Sequence, residues 1–86
     1  MRYAFAPVVA WQSVNDEAVV LDLSTRHAIG LNPAAAFVWT RIEAQSVSEI
    51  VTDLSAAFKI GLEKAGSDVS VFLGDMHQRG LIERLE

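Results

Sequence analysis

Residues 20–32 read VLDLSTRHAIGLN and run directly into residues 33–42, PAAAFVWTRI. An apolar alternation stops at Ser24-Thr25-Arg26, restarts at His27, and changes period at Asn32-Pro33. This stretch predicts two strands joined by a short polar link, with a helix starting at once behind the second. Residues 18–23 alternate, with Val19, Leu21 and Leu23 on one face and Ala18, Val20 and Asp22 on the other. His27 to Leu31 places Ile29 and Leu31 on one face, Ala28 and Gly30 on the other. Asn32 can cap a helix with its side-chain oxygen, and Pro33 then occupies the first helical position, where its missing N–H costs nothing.

Upstream, residues 8–14 are rich in β-branched and aromatic types and end at the turn signal Asn15-Asp16. Downstream, Ala35, Val38, Trp39 and Ile42 recur at i, i+3, i+4 and i+7, one face of a helix. Ser46-Val47-Ser48-Glu49 spells a capping box. Val47, Ile50, Val51, Leu54 and Phe58 then form the stripe of a second helix that ends near Lys59-Ile60-Gly61. A third helix carries Val69, Phe72, Leu73 and Met76, extended by Ala65 and Leu62, and Gly80 is placed to stop it. Residues 81–85 suit a last short extended piece. The expected fold is α+β and winged-helix-like: a three-stranded antiparallel β-meander followed by three α-helices, one domain over residues 1–86. The helical stripes assign Trp39, Phe58, Phe72 and Met76 to the core. Val71 lies off the third stripe, beside Asp68 and Asp75, and is either an idle surface valine or part of a binding wall.

Of the 86 residues, 51% are hydrophobic and 21% charged, a globular balance. The net charge of −4 disfavours a polyanionic partner, since phosphate binding is driven by basic side chains. There is no cysteine, hence no disulfide, thiolate ligand or cysteine nucleophile. The opening MRYAFAPVVAW carries one charge and an apolar run, but Pro7 breaks the run and no cleavage pattern follows, which argues against a signal peptide. No stretch approaches the roughly 20 apolar residues of a membrane span. A cytoplasmic protein is expected.

Catalytic equipment is sparse. His27 and His77 are far apart and lack partners at ligand spacing, against the three or four that a zinc ion takes. No glycine-rich phosphate loop occurs. Ser46 and Ser48 are explained by capping. Asp68 and Asp75 fit a solvated helix flank better than an acid–base pair. No enzyme activity, cofactor or metal is therefore expected. Two binding classes compete. A winged-helix outline suggests DNA, but residues 67–80, SDVSVFLGDMHQRG, offer only Arg79 against Asp68 and Asp75, the wrong balance for a helix facing phosphates. The other class is peptide capture by strand addition to an exposed sheet edge.

The segments VVLDL, GLN, Ala35 with Val38-Trp39, SVSEIVTDL and DVSVFLGDMHQRGLI together resemble the PqqD family in order and spacing, over roughly residues 11–83. Members of that family act as peptide chaperones and leader-peptide recognition elements in the making of ribosomally synthesised, modified peptides, including pyrroloquinoline quinone and lasso peptides. The resemblance implies a non-catalytic protein whose leader peptide adds as an antiparallel strand beside the third strand, in a groove shared with the third helix. The implied peptide-binding residues are His27, Ala28, Ile29, Gly30 and Leu31 on the strand, and Asp68, Val71, Phe72, Asp75 and Arg79 on the helix. Gly30 would then let a peptide backbone come close. The implied partners are a precursor leader and a processing or modifying enzyme, such as a leader peptidase or a radical maturase, with no nucleic acid and no membrane. An unpaired strand edge also implies a weak homodimer. Two positions depart from the family pattern: Ile29 stands where many members have an aromatic residue, and Arg26 where many have glycine.

Overall fold

The computed structural model describes residues 1–85. In chain order the elements are β1 (Tyr3–Phe5), β2 (Val9–Val14), β3 (Glu17–Asp22), β4 (His27–Leu31), α1 (Pro33–Trp39), α2 (Val47–Phe58), α3 (Leu62–Gln78) and β5 (Ile82–Arg84). The expected meander is present as an antiparallel sheet in the order β2-β3-β4, followed by three helices, a winged-helix-like α+β arrangement. Asn15 turns β2 into β3 with a positive φ of 58°. In the second hairpin Arg26 adopts φ 63°, a left-handed conformation in which a Cβ is disfavoured. That is the physical reason a glycine suits this turn.

The face of β3 turned to the helices is Ala18, Val20 and Asp22, all buried, while Val19 and Leu23 are exposed. Hydropathy alone would choose the other face. Asp22 is tolerated inside because it bends back into its own turn. Its Oδ1 accepts from the Ser24 hydroxyl at 2.6 Å and from the Ser24 N–H at 2.9 Å. These bonds, the Ser24 hydroxyl foremost, hold its carboxyl below the usual carboxylate range.

The helices begin and end as their sequences direct. Asn32 accepts from the Ala35 N–H at 2.9 Å, with Pro33 opening α1. Ser46 and Glu49 close a reciprocal capping box on α2. The Ser46 N–H donates to Glu49, the leading reason this carboxyl sits below its ordinary range. Lys59, left-handed at φ 54°, caps the other end of α2. At the end of α3, Gly80 at φ 75° lets its own N–H reach the His77 carbonyl and the Leu81 N–H reach that of Met76.

Val20, Leu31, Trp39, Ile50, Leu54, Val69, Leu73 and Met76 meet in one core between the sheet and the helices. Several expectations need correction. Phe58 is 38% exposed, its ring edge-on to Phe37 at 5.5 Å, because α2 ends before that turn reaches the core. Phe72 is only partly buried. Leu62, the first residue of α3, is 62% exposed. The helix of Ala35 stops at Trp39, and Ile42 reaches the core from a turn.

The opening residues hold a strand that the sequence reading did not anticipate. Tyr3–Phe5 pairs antiparallel with Ile82–Arg84, matching Phe5 to Ile82 and Tyr3 to Arg84. The ribbon lays Phe5 flat on Trp39, centroids 4.5 Å apart, with Trp11 edge-on to both rings. Among the described residues no helix is long and apolar enough to cross a membrane.

Candidate functional site

Two features of the fold converge at the junction of β4 and α1. The first is an unpaired edge. β3 pairs with β4 through Val20–Ile29 and Val19–Gly30, and among the described residues no strand lies on the far side of β4 in the order β2-β3-β4. In an edge strand the backbone groups of alternate residues point away from the sheet, so β4 presents donors and acceptors outward. Along it His27, Ala28 and Gly30 are exposed, Ile29 is half-buried against the core, and Leu31 is buried. A Cβ built at Gly30 meets nothing within 4 Å. The glycine is thus not required by packing inside the chain.

The second feature is an open groove of about 570 Å³. Asn32, Ala34 and Ala35 form one wall, in the turn where β4 becomes α1. Val38 and Leu54 supply the floor, and Asp68, Val71, Phe72 and Asp75 of α3 form the opposite wall. The groove exists because α1 begins with alanines: side chains this small leave volume where a leucine would fill it. The α3 wall follows from helical spacing, because positions 68, 71, 72 and 75 fall on one stripe. Val71 sits at its centre and is 71% exposed, the most exposed large apolar side chain in the described residues. Phe72 packs half into the core beside it. Lys64 holds Asp68 at 3.2 Å and Arg79 holds Asp75 at 3.1 Å, both across one helical turn and both open to solvent.

The sequence-derived candidates therefore divide. Asp68, Val71, Phe72 and Asp75 line one groove. Arg79 lies outside it and meets the site through Asp75. His27, Ala28, Ile29, Gly30 and Leu31 form the edge strand that leads into the groove at Asn32, rather than lining it. Val71, left by the sequence as an idle surface valine or part of a binding wall, lines the groove. The reading of the sequence missed Asn32, Ala34, Ala35, Val38 and Leu54. The signal was available in the Ala34-Ala35 pair directly after the helix cap, which marks a helix start with room beside it.

Among the described residues no three His, Cys, Asp or Glu side chains lie close enough to hold a metal ion. What the site offers is a backbone edge, an apolar trough and a carboxylate on each side of Val71.

Comparison with known proteins agrees with this architecture. One solved structure, TbiB1 in complex with the TbiA(beta) leader peptide, superposes with a TM-score of 0.88 at 24% identity, over 100% of this chain and 99% of its own. A second, lasso peptide synthetase B1 complexed with the leader peptide, gives 0.88 at 16% identity, over 98% and 100%. At these identities the likeness establishes the fold. No curated protein matches the sequence. The family model described as coenzyme PQQ synthesis protein D (PqqD) matches residues 17–82, from the start of β3 into β5. That is most of the chain and all of the site, and the protein belongs to the PqqD family.

Proposed function

We propose that this protein is a leader-peptide recognition element without catalytic residues of its own. The leader of a precursor peptide adds as a further antiparallel strand to the free edge of β4. Its inward side chains enter the groove between α1 and α3, and the complex presents the precursor to a processing or modifying enzyme. The observation that carries this reading is the open β4 edge leading into an apolar groove. It gains support from two solved proteins of the same fold, each a complex with a leader peptide. Main-chain bonds give affinity in such an addition, and the groove gives selectivity. A cytoplasmic site of action suits this role.

The test is amide hydrogen exchange, with and without a synthetic leader peptide of the cognate precursor. Outward N–H groups of His27 to Leu31 exchange fast in the free protein and become protected on binding. Protection confined to other elements, with β4 unchanged, would refute strand addition. Turnover of the precursor by the pure protein would refute the non-catalytic role.

A further inference from the structure

The groove also specifies a pattern of charge in its ligand, an inference that rests on the strand-addition reading above. Asp68 and Asp75 are seven residues apart on α3, so their Cα atoms are about 10.5 Å apart along the helix axis at roughly 1.5 Å per residue. Val71 and Phe72 lie midway between them. An extended peptide advances about 3.4 Å per residue and sends every second side chain to the same face, about 6.7 Å apart. In a peptide that runs along α3, a side chain seated over Val71 and Phe72 has its same-face neighbours about 6.7 Å to either side, against about 5 Å for each carboxylate. The flexible stem of a lysine or arginine spans that small offset.

We infer that the groove selects a strand in which an apolar residue is flanked at positions −2 and +2 by basic residues, each meeting one of Asp68 and Asp75. Charge complementarity chooses this occupant. Both rim carboxylates line the groove and remain about half exposed, at 47% and 49%. Their present partners, Lys64 and Arg79, make solvent-exposed pairs along the same helix, which contribute little and are readily exchanged. Bases at −1 and +1 would point to the outer face of the sheet, where neither carboxylate is in reach.

The experiment uses capped synthetic peptides with a threonine–serine scaffold and one central leucine. One carries lysines at −2 and +2, a second at −1 and +1, and a third carries glutamates at −2 and +2. The first two have identical net charge, so general attraction to an acidic protein cancels between them. Fluorescence anisotropy should show the in-phase lysine peptide binding about three- to tenfold more tightly than the out-of-phase one at low salt, the advantage shrinking as salt rises. The glutamate peptide should be weakest. In the double variant Asp68→Asn, Asp75→Asn, checked for folding by circular dichroism, the in-phase advantage should vanish. Equal binding of all three peptides overturns the charge pattern and leaves strand addition standing. An in-phase advantage that survives the double variant also overturns it. Absence of binding by every peptide, together with no β4 protection by the native leader, overturns both.

Discussion

Replacing Val71 with aspartate should separate binding from stability. A valine side chain gains about 1.5–3 kcal/mol on full burial. Val71 is 71% exposed in the free protein, which leaves about 1–2 kcal/mol to be gained when a peptide covers it. Val71→Asp forfeits that gain and places a third carboxylate between Asp68 and Asp75. The loss of affinity should therefore be at least about five- to thirtyfold, at about 1.4 kcal/mol per factor of ten. Stability should change far less. The side chain packs against little, and like-charge spacing to Asp68 and Asp75 costs about 0.2–0.5 kcal/mol for each pair. Phe72→Ala is the contrasting variant. Its ring is half in the core, so it should lose binding and also about 1.5–3 kcal/mol of stability, below the 3–5 of a fully buried phenylalanine. Calorimetric titration with the leader peptide gives the affinities, and urea denaturation gives the stabilities. If Val71→Asp is folded and binds as tightly as the parent, the α3 flank is not the binding wall and the groove has been misread.

Gly30→Pro should sharply reduce protection of β4 by a leader, because the Gly30 N–H points away from β3 and proline removes that donor and fixes φ; leader binding unchanged in a folded variant would place the peptide elsewhere. Asp22 should set part of the acid limb of stability. Its folded pKa lies below the ordinary value, so its contribution is present above the usual carboxylate range and is lost as pH falls through the depressed value. Denaturation midpoints against pH should show a flatter acid limb for Asp22→Asn, and parallel curves would count against the turn network. Arg26→Gly should be neutral or stabilising by up to about 1 kcal/mol, the relief of a left-handed Cβ set against the chain entropy of glycine; a clear loss on thermal melting would contradict the turn geometry. The free β4 edge should allow weak self-association that added leader suppresses, and light scattering that shows a strict monomer at every concentration would remove that expectation.

The meander, the three helices and their caps were legible because each is encoded locally. Asn32-Pro33 and the capping box at Ser46 and Glu49 behave as their side chains require, and Gly80 as its lack of one permits. The ribbon of β1 with β5 was not legible. Tyr3–Phe5 is too short to show a period, and its partner lies almost the whole chain away. The buried face of β3 was also hidden, because choosing Asp22 over Leu21 and Leu23 depends on bonds that form only once Ser24 has turned. For the site, the family resemblance pointed to α3, and helical spacing put Asp68, Val71 and Asp75 on one flank of it. The opposite wall escaped because alanines carry no chemistry; their contribution is the space beside them, and space is visible only after α1 is set against α3. Phe58 and Phe72 were misjudged for a related reason: a stripe gives direction, and only packing gives depth.

The pairing of Phe5 with Ile82 has a consequence for the order of assembly. The second hairpin and the helices can form from neighbouring segments, whereas the ribbon must close a loop of nearly the entire chain before its first bond forms. That closure is entropically the costliest step in the molecule. A ribbon that closes last would settle onto a surface already formed, since Phe5 stacks on Trp39. Until then the face of Trp39 stays open.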